Sequence, residues 1–147
     1  MAVATQEVFQ RTDALVETWD LGSATPARTL VESGGRYGVT LTDTVGVAKP
    51  DYTLYGDVEI TGITKPGLGN DSATAIGTYA AGVAVDGTWE FEDIDGVTDS
   101  TAQGVVVYVD GSGDLTTTEG SNTRLGVVNY PATYVKAAGT APVKIGA

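Results

Sequence analysis

The stretch Gly82-Val-Ala-Val-Asp-Gly-Thr-Trp-Glu-Phe-Glu92 decides how this chain is read. Apolar residues alternate on both sides of Asp86-Gly87, with Val83 and Val85 before it and Trp89 and Phe91 after it. A period of two belongs to a strand that buries one face, because successive side chains point to opposite sides. Asp-Gly between two such runs is the two-residue signal of a type I′ hairpin. The segment therefore reads as two antiparallel strands, with Trp89 and Phe91 turned inward and Glu90 and Glu92 turned to water.

The same pattern recurs in both directions. Strands are expected over residues 14–20, 28–32, 37–42, 52–63, 104–109, 114–118, 125–130 and 142–145, separated by Gly, Asp, Asn and Pro breaks. Tyr37, Val39 and Leu41 share a face, and the nearly continuous apolar run 104–109 is expected to be buried on both. Asp110-Gly-Ser-Gly-Asp114 reads as a hairpin loop with glycines at positive φ. Residues 132–138 read as a short helical turn, and no window sustains helical periodicity for longer. At 147 residues the chain is one domain's worth. The expected fold is all-β: a small barrel, β-tulip-like or sandwich domain of short antiparallel strands, with at most a short helix. Residues 1–13 read as an N-terminal arm or edge strand, and 14–147 as a single domain with an inserted excursion at 50–78.

Charge and composition exclude several function classes. With 8 Lys and Arg against 19 Asp and Glu, the net charge is −11. That opposes direct nucleic-acid binding, which neutralises phosphates with cations, and adsorption to anionic membranes. No stretch approaches the ~20 apolar residues of a membrane-spanning helix. The first residues lack a basic segment followed by an apolar one, so synthesis in a cytoplasm is expected. There are no cysteines and no histidines, so disulfides, thiolate nucleophiles and imidazole bases are impossible. Charge is also uneven. Residues 66–123 contain ten acids and no Lys or Arg, whereas 120–147 carry Arg124, Lys136 and Lys144 and no acid.

Candidate chemistry is sparse. Glu90 and Glu92 would lie roughly 7 Å apart along one strand face, a spacing permissive for glycoside hydrolysis, but nothing marks either for a raised pKa. Asp110, Ser112 and Asp114 occupy the first three ligand positions of an EF-hand-like loop, but Leu115 and Ser121 stand where its sixth-position Gly and twelfth-position Glu belong. Asp93, Asp95 and Asp99 form a second acidic run without ligand spacing. Trp19 and Trp89 would suit a sugar-stacking platform, but their alternating context reads as core. No cofactor, no metal and no catalytic residue is expected.

The C-terminal half, with Gly104-Val-Val-Val-Tyr-Val-Asp110, Gly113-Asp-Leu-Thr-Thr-Thr118, Leu125-Gly-Val-Val128 and Ala137-Ala-Gly-Thr-Ala-Pro-Val-Lys-Ile145, resembles the capsid decoration (cement) proteins of tailed bacteriophages. Upstream, Ala81-Gly-Val-Ala-Val-Asp-Gly-Thr-Trp-Glu-Phe91, Tyr37-Gly-Val-Thr-Leu-Thr-Asp43 and Val45-Gly-Val-Ala48 are similar to further segments of that family. The stretch 50–78 exceeds the family pattern. The resemblance implies a non-enzymatic virion protein on the outer capsid surface, a homotrimer at three-fold and quasi-three-fold positions that holds the major capsid protein shell against DNA pressure. On this reading Thr5, Gln6, Glu7, Val8, Phe9, Gln10 and Arg11 contact the shell by strand addition, with Phe9 as apolar and Arg11 as ionic anchor. Removing residues 2–11 is then expected to leave the domain folded. The alternative is a carbohydrate-binding, adhesion or fibre accessory module of a virion.

Overall fold

The computed structural model describes residues 2–7, 15–44, 52–54, 58–60 and 79–147. Within them the chain is all-β. In order come β1 (Ala4–Glu7), β2 (Val16–Asp20), β3 (Leu30–Ser33), β4 (Arg36–Thr40), β5 (Tyr52–Leu54), β6 (Val58–Ile60), β7 (Ala80–Ala84), β8 (Thr88–Phe91), β9 (Val106–Val109), β10 (Leu115–Thr116), β11 (Thr123–Val128) and β12 (Ala141–Ile145). They form two curled antiparallel sheets, a six-stranded one ordered β1-β8-β12-β11-β9-β10 and a four-stranded one ordered β2-β7-β4-β3. β5 and β6 pair separately, Tyr52 opposite Ile60.

The main core lies between the two sheets. Leu30, Val39 and Ala84 from the four-stranded sheet meet Trp89, Phe91, Val107, Leu125, Val128, Val143 and Ile145 from the six-stranded one. Phe91 is wholly buried, so truncating it to Ala would cost about 3–5 kcal/mol. Residues 2–4 close one side of the sandwich. Ala4 N donates to Arg28 O at 2.9 Å and Leu30 N to Ala2 O at 2.9 Å, while Ala4 also pairs with Phe91 of β8. Arg28 sits at φ 64°, and Thr40, fully buried, holds this bend by accepting from Thr29 N and donating to Pro26 O.

Five expectations change. Asp86-Gly87 does not close a hairpin, because β7 and β8 belong to different sheets. Type I′ needs two positive φ values, and of this pair only Gly87, at 97°, has one. The chain instead crosses from one sheet to the other, which alternation cannot distinguish from a hairpin. The expected strand 52–63 contains two strands that pair with each other, β5 and β6. Leu41 leaves the core, 41% exposed, because it lies beyond the end of β4. β9 alternates, with Val107 and Val109 buried but Val106 and Tyr108 half-buried, since among the described residues no second layer covers its outer face. Residues 132–138 are not helical: Tyr134 N donates to Pro131 O in a turn, and Ala137 bridges Thr140. The 110–114 hairpin loop forms as expected between β9 and β10, with Gly113 at φ 86°, although Gly111 stays at ordinary φ.

Gly126 sits at a register irregularity where β11 meets both β9 and β12. A Cβ there would run into the Lys144 carbonyl oxygen, and backbone cannot yield as a side-chain tip can. Gly126→Ala should therefore destabilise the domain by about 1–3 kcal/mol, read as a lower urea midpoint. Gly111→Ala, with open space around it, should stay within about 0.5 kcal/mol of the parent.

Candidate functional site

The N-terminal strand is an edge. β1 is outermost in the six-stranded sheet, paired on one side with β8 through Gln6 opposite Glu90 and Glu7 opposite Trp89. Thr5, Gln6 and Glu7 of the expected shell-contact segment belong to it; Val8, Phe9, Gln10 and Arg11 lie outside the described residues, as does most of the 50–78 excursion. Ala4 is 1% exposed and part of the core. Removing residues 2–11 would thus open the seam between the sheets, contrary to the expectation that the remainder stays folded.

The acidic candidates do not converge on chemistry. Glu90 projects from the outer face of β8, where its Oε2 accepts the Tyr134 hydroxyl at 2.6 Å, and Glu92 lies exposed beyond the strand's end. Trp89 and Phe91 face the core as their alternation predicts. In the 110–114 loop, Asp110 Oδ1 accepts from Ser112 N at 2.8 Å and Asp114 N at 3.0 Å, which makes it a turn-capping residue. Asp93, Asp95, Asp110 and Asp114 line one open recess of about 530 Å³. Asp95 is tied down there by Thr116 Oγ1 at 3.3 Å. Among the described residues no three acidic side chains are grouped so as to hold a metal ion.

Both tryptophans are buried. Trp89 is 4% exposed and donates Nε1–H to Asp86 O at 3.1 Å. Trp19 lies on the other face of the four-stranded sheet with Val31 and Val83, a small second core. Its indole donates to Glu17 Oε2 at 2.8 Å, and the Arg36 guanidinium stands 5.8 Å from its ring centroid while pairing bidentately with Glu17. The Arg36 hydrogen bonds, then that of the Trp19 indole, hold the Glu17 carboxyl below the usual glutamate range. Neither indole face is open for a sugar.

One cluster escaped the sequence reading. The β11–β12 connection folds back over the outer face of β8 and brings Tyr130 and Tyr134 together, ring centroids 5.5 Å apart. Lys136 Nζ sits 4.6 Å from the Tyr130 centroid and donates to Thr101 O at 3.0 Å. Below it, Asn129 Nδ2 donates to Thr88 Oγ1 and Gln103 Nε2 to Asn129 Oδ1. The available signal was Glu90, an outward carboxylate that a nearby donor could engage; reading 132–138 as helical hid it. Burial raises the pKa of both tyrosines, reinforced at Tyr134 by the hydrogen bond to Glu90.

The arrangement offers edges, charged recesses and aromatic surface for docking, with no assembled acid–base pair among the described residues. No protein-family model, no curated protein and no solved structure matches this chain.

The raised Tyr134 value fixes a sign. A protonated group whose pKa rises on folding contributes stability below its unfolded value, about 10 for tyrosine, and loses it as pH climbs toward the folded value. Tyr134→Phe should cost about 1.5–3 kcal/mol near pH 8, the range for a hydrogen bond to a charged partner. The gap from the parent should narrow as pH rises above about 10 in urea titrations, because the Tyr134 pKa is raised on folding.

Proposed function

We propose that this protein is a structural coat component that binds the outer surface of an expanded tailed-phage capsid as a homotrimer and reinforces the shell. The observation that carries the reading is β1, the outermost strand of the larger sheet, whose edge is taken by residues 28–30 as far as Ala4 and which the proposed contact segment follows in sequence. An edge strand has one row of backbone N–H and C=O groups available to an incoming strand, so a shell segment can extend the sheet while side chains set specificity. Thr5, Gln6 and Glu7 supply the strand; Val8, Phe9, Gln10 and Arg11 supply apolar and ionic anchors. Three such contacts per trimer add through effective concentration, so modest single interfaces give firm attachment.

Two further features fit. The ten acids of residues 66–123, in a stretch without Lys or Arg, keep the unbound protein soluble, and four of them, Asp93, Asp95, Asp110 and Asp114, line one recess. The chain also lacks the histidine and cysteine on which much catalysis depends, in keeping with a role carried by shape and surface. Of the aromatic residues the carbohydrate alternative would use, Trp19 and Trp89 are buried, which leaves it the tyrosines.

Because deletion of residues 2–11 would disturb the core, the test uses Phe9→Asp and Arg11→Glu in the full chain. With expanded, undecorated tailed-phage shells, the parent should co-sediment to saturation. Each variant should bind at least about tenfold more weakly, the equivalent of ~1.4 kcal/mol, with an unchanged melting temperature. A parent that never sediments with such shells, or variants that bind as it does, would overturn the proposal.

A further inference from the structure

A second recess lies between the two sheets, a groove of about 220 Å³. It is lined by Leu125, buried, and by Tyr37 and Val85, half-buried, beside Gly35 and Gly146. Arg36 flanks it from the four-stranded sheet and Arg124 from the six-stranded one, so two of the chain's four arginines meet at one groove on a molecule of net charge −11. Both guanidiniums are on exposed residues. Arg124 Nε donates to Ala147 O at 3.0 Å, and its two terminal nitrogens make no hydrogen bond among the described residues. Arg36 already grips one carboxylate bidentately, that of Glu17, in an exposed pair. Exposed pairs of this kind contribute little to stability, so exchanging the carboxylate costs little. Two guanidiniums flanking one groove suit a carboxylate-bearing ligand, which each can grip through planar, bidentate hydrogen bonds.

The chain itself carries a matching shape. The 110–114 loop is narrow, glycine-rich and acidic, stiffened by the two backbone hydrogen bonds to Asp110 Oδ1, with Ser112 and Asp114 exposed. Strand pairing puts the loop and the groove at the same end of the six-stranded sheet. Val109 pairs with both Leu115 and Thr123, next to Arg124, and Gly126 pairs with Ile145, next to Gly146 of the groove. The loop extends β9 and β10 at one margin of this end, while the groove opens beside β11 and β12. A protruding patch and a receiving patch on one end of a molecule can face each other in neighbouring copies around a common axis, and a heterologous contact that closes makes a ring.

We infer that the groove between Arg36 and Arg124 receives the acidic 110–114 loop of a second copy of this chain, joining copies head to tail in a closed ring. The inference deepens the coat reading, which calls for a trimer, and rests on it for its biological purpose. It does not need the shell in order to be tested.

The full chain is examined by sedimentation equilibrium at about 50 mM and 500 mM salt, the second of which shortens the screening length to a few ångströms. The parent should associate to a closed oligomer that weakens at high salt. Asp114→Lys and Arg124→Glu should each weaken association at least tenfold, and the double variant, which re-creates the pair with its signs exchanged, should recover most of the loss. Unchanged melting temperatures confirm the fold; where either reversal lowers them, Asp114→Asn and Arg124→Gln replace the reversals and should weaken association in the same direction. A parent that stays a single chain at about 1 mM, single variants that associate as the parent does, or a double variant no better than the singles would each overturn the inference. Co-sedimentation of the same proteins with shells separates the two claims: a monomeric parent that still coats shells overturns the ring alone, and a ring that ignores shells overturns the coat reading alone.

Discussion

The turn at residues 85–87 is the constraint on which the rest of this fold depends. There the chain leaves the four-stranded sheet at β7 and enters the six-stranded sheet at β8. Three other parts of the molecule fasten to those few residues. Val85 N donates to Leu15 O and Asp86 Oδ1 accepts from Leu15 N, which ties down the start of β2. Gly87 O accepts from Ile145 N, which ties down the end of β12, and Asp86 O takes the Trp89 indole. Ala84 before the turn and Trp89 and Phe91 after it then lie in the same core. A crossing that must turn sharply and still offer two carbonyls and the Asp86 carboxylate to three donors needs a residue at positive φ, and Gly87 provides it.

The strands were legible in the sequence because alternation reports which face is buried, wherever the buried face lies. Trp89 and Phe91 inward with Glu90 outward follows from that alone, as do β2, β3, β4, β11 and β12 to within a few residues. Pairing was not legible. Asp86-Gly87 carries the same local signal whether the next strand returns beside the last or starts the opposite sheet. The choice is made by partners distant in sequence, Leu15 and Ile145. The second face of the four-stranded sheet was hidden for a related reason. Trp19 reads as a core residue, but its core is a satellite under the Glu17–Arg36 pair, and nothing local to Trp19 points to Arg36. The tyrosine cluster over β8 depends on contacts 44 residues apart, beyond any periodicity.

The surfaces share one physical theme. Acids crowd the end that carries the 93–95 and 110–114 loops, while the few cations are set at particular places. Arg36 and Arg124 flank the intersheet groove, and Lys136 caps the Tyr130 ring. In a molecule this negative, each guanidinium sits in the protein's own field and favours a carboxylate partner, internal or external. The edge at β1 presents backbone, the groove presents charge, and the tyrosine face presents aromatic area. These are the materials of docking, and they sit on rigid strands.

Amide hydrogen exchange tests the central claim, that one core and one crossing make the two sheets a single cooperative unit. The account predicts that the hydrogen-bonded amides of β7, β8 and β12 exchange only through global unfolding, with one shared free energy equal to that from urea denaturation. If the amides of β7 and β4 instead exchange at a distinctly lower free energy than those of β8 and β12, the sheets unfold separately and the account is contradicted.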